Sequence, residues 1–199
     1  MVRVFEIDGV VPVVDPAAFV HPHATLIGGV IVGPRCYVGP GASLRGDFGR
    51  IRICAGANIQ DGCILHGYPG KETVVEEDGH VGHGAILHGC RIGRNAMIGM
   101  GAIIMDNADI GESSVVGAGS FVKTGMVVAP RTLVIGSPAR FVRRLSDDEV
   151  NWKSDGTRVY QQLAVRSLQT MREVDALTDP SAQTGRLQVE DRAPEDRKR

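Results

Sequence analysis

Aromatic side chains are scarce in this chain of 199 residues: five Phe, three Tyr and one Trp, 5% in all. A core built here has to be filled by small aliphatic groups. An excess of either charge is also missing, with 22 Lys and Arg against 23 Asp and Glu and a formal net charge of −1. That balance argues against nucleic acid or an anionic membrane as the main partner, because both call for clustered cations. No run of about 18 apolar residues is present to span a bilayer. The opening Met1-Val2-Arg3-Val4-Phe5-Glu6-Ile7-Asp8 is too short and too acidic for a secretory signal, so a soluble cytoplasmic protein is expected. The four cysteines, Cys36, Cys54, Cys63 and Cys90, include no Cys-x-x-Cys pair. They support neither a thiolate zinc site nor a disulfide framework, and read as small, reduced, mostly buried side chains.

What is abundant is glycine, at 26 residues, and a repeat. From Ile92 an aliphatic residue recurs every sixth position through Ile98, Ile104, Ile110, Val116, Val122 and Val128 to Val134. Gly often follows it, and a small residue such as Ala96, Ala102 or Ser114 stands four places on. A second register runs Val20, Leu26, Val32, Val38, Leu44, then Ile53, Ile59, Leu65, with Arg50-Ile51-Arg52 shifting the phase. Val81 and Leu87 form a third piece after an irregular stretch at 67–79. A strict six-residue period does not match 3.6 residues per turn and excludes a helix. Six residues are instead one short strand and one tight corner, and three such sides close a triangular coil of about 18 residues. The fold expected is an all-β solenoid, a parallel β-helix of hexapeptide repeats over residues 1–145.

Ser146-Asp147-Asp148-Glu149 reads as a capping box. It opens a helical segment over 146–176 in which Val150, Trp152, Val159, Leu163, Val165, Leu168 and Met171 form the expected apolar stripe. Gly156 is a candidate break into two helices. Residues 177–199 are polar and of mixed charge, and read as a disordered tail with no assigned function.

Three of six histidines stand in a telling pattern. His66 follows Leu65 and His88 follows Leu87, one coil apart on one face, so their imidazoles should stack at about the strand spacing of 4.8 Å. Two imidazoles that close can share a zinc ion. His83, two after Val81, belongs to the preceding side of the triangle. It cannot join the pair within one chain, but in a threefold trimer the neighbour's His83 can face it. Interface hydrogen bonding without a metal is the alternative, and His21, His23 and His80 read as ordinary surface or core residues. No nucleotide motif competes, since Gly99-Met100-Gly101-Ala102 and Gly117-Ala118-Gly119-Ser120 are repeat corners without a following helix.

Together with Arg45-Gly46-Asp47 and Asn58-Ile59-Gln60-Asp61, the trio resembles the signature of the gamma-class carbonic anhydrase-like group of hexapeptide-repeat proteins, over roughly residues 10–172. The resemblance supplies the left hand of the β-helix and implies a homotrimer with a metal at each subunit interface. It implies zinc, with iron or cobalt possible, held by His66 and His88 of one subunit and His83 of the next. Arg45 and Asp61 would pair across the interface, with Asp47 in the same structural set. Gln60 would orient hydroxide or substrate, and Tyr160 would hang over the metal.

Where the archetypal carbonic anhydrases of this class carry a proton-shuttling Glu, this chain has Phe48, and only Glu72, Glu76, Glu77 and Asp78 stand as substitutes. The segments His66-Gly67-Tyr68-Pro69-Gly70, Val74 to Gly84 and Leu87-His88-Gly89-Cys90 are similar to a narrower phenylacetic acid degradation group with a carnitine-operon branch. That implies a metal-dependent hydrolase, a thioesterase freeing coenzyme A from phenylacetyl-CoA-derived intermediates, with an acyl-CoA thioester as partner. Carbon dioxide hydration, acyl transfer and a non-catalytic trimeric scaffold are the alternatives, which fold alone does not decide.

Overall fold

A computed structural model describes residues 2–187. The chain winds into a left-handed parallel β-helix of about seven coils, followed by a long helix. Three columns of inward aliphatic residues form the core. One runs Val20, Val38, Ile59, Val81, Ile98, Val116, Val134, the second Leu26, Leu44, Leu65, Leu87, Ile104, Val122, and the third Val32, Ile53, Val75, Ile92, Ile110, Val128. Each stacks in register on its counterpart one coil away, as in Leu65 on Leu87 and Leu87 on Ile104. The interior is narrow, so the position two before the inward residue is small in most coils, with Val30, Ile51 and Met126 as the exceptions in the third column. Three cysteines, Cys36, Cys63 and Cys90, fill that slot and are buried, and Cys54 is half-buried; all four are free thiols.

The period breaks at one corner only, between the second and third columns. Nine residues separate Leu44 from Ile53 and ten separate Leu65 from Val75, while Leu87 to Ile92 is shortened to five. The irregular stretch at 67–79 therefore holds a regular inward side, Thr73–Val75, behind its excursion. Gly89 turns the shortened corner with φ +55, a backbone region that glycine enters most readily.

At its end the solenoid is closed by an antiparallel hairpin, Thr132–Gly136 with Ala139–Arg144. The helix Asp147–Thr170 then folds back along the first column's face. Its capping box forms as expected, with the Ser146 side chain accepting from the Glu149 amide and the Glu149 carboxylate accepting from the Ser146 amide.

Two expectations need correcting. The helix runs unbroken through Gly156 and ends at Thr170, six residues before 176. Its buried face is Lys153, Thr157, Ala164 and Ser167; of the expected apolar stripe Leu163 packs half-buried against Phe19, Tyr37 and Ala164, whereas Trp152, Val165 and Leu168 are exposed. The surface beneath supplies polar partners: Lys153 donates to the Asp78 carbonyl and to Asn95, and Thr157 meets His80. Residues 180–182 form a 3-10 turn within the polar tail, and residues 188–199 lie outside the described part. Among the described residues no helix is long and apolar enough to cross a membrane.

Candidate functional site

The strands Ile64–His66 and Ile86–His88 pair in parallel, with His88 on His66. Inward Leu65 and Leu87 therefore throw both imidazoles outward at the irregular corner, with ring centroids 5.1 Å apart. His66 Nδ1 and His88 Nε2 lie 3.1 Å apart. The other nitrogen of each ring faces a carboxylate: His66 Nε2 is 3.0 Å from Asp47 Oδ1, and His88 Nδ1 meets Asp106 Oδ1. Asp47 also accepts from Arg45 at 2.7 Å. Burial works against its ionisation, yet the bonds from Arg45 and His66 hold the Asp47 carboxyl below its ordinary range. Thr73, in the small slot behind the corner, fixes the backbone: its hydroxyl donates to the His66 carbonyl at 2.6 Å and accepts from the Gly89 amide at 2.9 Å.

Two aromatic rings flank the pair. Phe48, 62% exposed, lies 5.4 Å from the His66 ring, and Tyr68 stacks toward His88 at 6.5 Å while its hydroxyl donates to Asn107 at 2.8 Å. Both come from the two corner extensions, which stand proud of the shortened coil that follows. The acidic residues of the excursion are engaged elsewhere. Glu72 pairs with Arg52 at 3.0 Å, Glu76 with Arg91 and Glu77 with Arg94, and Asp78 accepts from Gln161.

His83 sits at the preceding corner, as the repeat spacing requires. Its Nδ1 is 3.1 Å from Asp61 Oδ2, and its Nε2 is 3.4 Å from the Tyr160 hydroxyl. Within one chain Asp61 pairs with His83 and Arg45 with Asp47. Desolvation first, with Asp61 nearby, pushes the Tyr160 phenol up to about 12, so it remains a hydrogen-bond donor across the neutral range. Within one chain, among the described residues, no three His, Cys, Asp or Glu side chains gather to hold a metal.

Gln60 is nearly fully buried under the helix. Its amide nitrogen donates to Asn58 Oδ1 at 3.0 Å and approaches His80 Nε2 at 2.7 Å. With both N–H groups engaged, Gln60 can only accept a bond from a ligand. Burial pushes the His80 imidazole down to about 3, with the charges of Lys153 and His83 acting the same way. The neutral ring presents Nε2 to the Gln60 amide at 2.7 Å, and Nδ1 to the Asn58 amide at 3.3 Å and the Thr157 hydroxyl at 3.5 Å. Lys153, anchored on the Asp78 carbonyl and Asn95, is held down to about 7 by desolvation.

Sequence reasoning did not reach Asp106, although it stands one 18-residue coil after His88, nor Thr73, hidden in the excursion. Two clefts flank the helix. One of about 440 Å³ is lined by Arg35, Asp78, Arg94, Ser154 and Gln161 and touches none of the histidine trio. The other, of about 370 Å³, reaches His83, Tyr160 and Gln60, and we regard it as the one that belongs to the site.

A family model described as bacterial transferase hexapeptide, six repeats, matches residues 89–124. The carnitine operon protein CaiE of Citrobacter koseri is 55% identical over 183 residues, spanning 92% of this chain and 93% of that protein. CaiE of Proteus sp. is 52% identical over 184 residues, with 92% and 93% spanned. Among solved structures, a hexapeptide transferase family protein from Anaplasma phagocytophilum is 35% identical with a TM-score of 0.79, covering 82% of this chain and 97% of that one.

Proposed function

The chain belongs to the hexapeptide-repeat transferase family, and we propose that it is a metal-dependent acyl-CoA thioesterase acting as a cytoplasmic homotrimer. The observation that carries this reading is the disposition of the three imidazoles. Each turns one ring nitrogen to a carboxylate, Asp47, Asp106 or Asp61. That arrangement fixes the tautomer and leaves the opposite nitrogen as a ligand. The two facing nitrogens of His66 and His88, 3.1 Å apart, fit a tetrahedral zinc, whose ligand nitrogens at about 2.0–2.1 Å lie roughly 3.3 Å from one another. His66 and His88 would hold the ion with the His83 of a neighbouring subunit, and iron or cobalt would suit the same donors. When bound, the metal supplies Lewis acidity and a water that ionises near neutral pH.

The chain's own residues do the rest. Gln60 accepts a hydrogen bond from the attacking oxygen and orients it, and the Tyr160 hydroxyl donates to the substrate carbonyl. Asp47 and Asp106 each engage one ring nitrogen of His66 and His88 and so turn the other nitrogen toward the ion. The net reaction cleaves the C–S bond with water, giving a carboxylic acid and free coenzyme A. Phenylacetyl-type thioesters, which the sequence resemblance implies, are the first candidate substrates, and Phe48 and Tyr68 are the aromatic neighbours of the pair His66 and His88. The names of the relatives make a carnitine-derived acyl group the second candidate. An exposed phenyl ring beside His66, where a proton-exporting carboxylate would serve carbon dioxide hydration, counts against that alternative.

Free-thiol release from phenylacetyl-CoA, a ring-oxidised analogue and a carnitine-derived acyl-CoA, comparing zinc-loaded protein with His66→Ala, tests the reading. The expected result is hydrolysis that falls at least 100-fold in the variant. No release by the parent, or release indifferent to His66→Ala, overturns it, and so does thiol release that depends on an added acyl acceptor.

A further inference from the structure

We infer that the cleft of about 370 Å³ between the helix and the solenoid is the binding site for the apolar acyl group of the substrate, with Met97, Met100, Val115 and Trp152 as its specificity-determining walls. The inference rests on the thioesterase reading and extends it to the site's selectivity.

The cleft has one polar end and one apolar body. Gln60, His83 and Tyr160 stand at the polar end, and the four wall residues line the rest. Trp152, the only tryptophan in the chain, is 58% exposed, and Met100 is 59% exposed. Within one subunit two large apolar side chains, one on the helix and one on a coil, stand uncovered along this cleft. The helix turns Lys153 and Thr157, not Trp152, toward the solenoid.

The floor of the cleft is bare backbone. Gly82, Gly99 and Gly117 occupy the same corner position in successive coils. A Cβ on Gly82 would stand 2.9 Å from the Ile98 carbonyl oxygen and from the Met100 amide nitrogen, closer than the coils can yield. The stacking thus enforces glycine, and the row of glycines keeps the cleft open along its length.

A site that is mostly apolar, with a few convergent polar groups at one end, fits a ligand of the same polarity. An acyl thioester has that shape, with an apolar tail and a carbonyl head that reaches the Tyr160 hydroxyl. Coenzyme A alone does not, because its nucleotide is polyanionic and no arginine or lysine lines this cleft. The thioether walls of Met97 and Met100 adapt to either an aryl or an alkyl tail.

Trp152 makes the test direct. Zinc-loaded full-length protein is titrated with S-phenylethyl-CoA, a thioether that cannot be hydrolysed, and with coenzyme A, while iodide quenching of tryptophan emission is followed. The expected result is at least threefold protection by the thioether and none by coenzyme A, with affinity reduced at least tenfold in Met100→Glu at an unchanged melting temperature. Equal protection by coenzyme A, or no protection by either, overturns the inference. So does protection that tracks protein concentration without ligand, which would assign the cleft to a second copy of the chain. The two readings fail separately. Protection without thiol release retains the acyl site and removes the hydrolase, whereas release whose kcat/KM ignores both acyl type and Met100→Glu retains the hydrolase and removes the acyl site.

Discussion

The coils from Ile92 to Val134 and those from Leu44 to Ile92 share one core and differ at one corner. In the later coils every inward residue follows the last by six, and the corners are alike. In the earlier ones the same corner is lengthened by three residues, then by four, then shortened by one, yet Ile53, Val75 and Ile92 remain fully buried. The inward column tolerates no change because each aliphatic group stacks on its neighbours above and below. The corner tolerates insertion because its backbone turns in water. The corner that varies in length is the one that carries Asp47, Phe48, His66, Tyr68 and His88, so the proposed site stands where the repeat is free to vary. The regular coils contribute Asp106 and, with Trp152 of the helix, the walls of the proposed acyl cleft.

If regularity is what holds the shape, truncating a regular core residue should cost most. Ile104 is fully buried between Leu87 and Val122, and Ile104→Ala is expected to lower stability by about 2–5 kcal/mol, measured by urea unfolding. A loss under about 1 kcal/mol, below the usual range for such a truncation, would mean that the coils collapse onto the gap and that strict stacking is not the source of rigidity. The next effect falls on the irregular corner. Asp106→Asn removes the carboxylate behind His88 and should weaken zinc affinity roughly tenfold to a hundredfold, with little change in melting of the metal-free protein. Titration against a competing chelator measures it, and an unchanged affinity would show that Asp106 does not support a metal ligand.

The fold was legible because it is periodic. Ile92 to Val134 declares the coil, and Leu65-His66 and Leu87-His88 declare which histidines share a face. The capping box at Ser146 was legible because its chemistry is local. The burial of the helix was not, since Lys153 faces inward to the Asp78 carbonyl and Asn95, and Thr157 to His80, partners in another part of the chain. Asp106 was hidden for a related reason: an aspartate at a corner looks like any surface charge until His88 is placed one coil beneath it. Gly156 misled because a glycine costs a helix about 1 kcal/mol without breaking it.

The seam under the helix gives a third, smaller effect. Burial holds His80 down to about 3, whereas in the unfolded chain it titrates near 6.5. The unfolded state therefore binds the extra proton first as pH falls. This part of the stability is whole above pH 6.5 and declines from there toward pH 3, by about 1–2 kcal/mol at pH 5. Carboxylates such as Glu149, held down to about 2 mainly by Arg143, add acid sensitivity of the same sign, so the comparison has to be with His80→Gln. The difference in unfolding free energy between parent and variant should change between pH 7 and pH 5. A difference flat across that interval would mean that His80 takes up its proton as readily in the folded protein as in the unfolded chain.

Gly156 carries the smallest effect and the sharpest discrimination. It lies mid-helix, and a Cβ built on it meets nothing within 4 Å. In an isolated subunit Gly156→Ala should therefore stabilise by about 0.5–1 kcal/mol, through helix propensity and a less flexible unfolded chain. For a domain of this size that raises the melting temperature by roughly 2–4 °C. The open space is defined by this chain alone. If a neighbouring subunit packs closely on the exposed row that includes Trp152 and Val159, the same methyl group meets it and the sign reverses. Melting measured alongside sedimentation separates the two cases. A rise in melting temperature at unchanged mass leaves that face of the helix in water, and a fall accompanied by dissociation places it in the subunit interface beside His83.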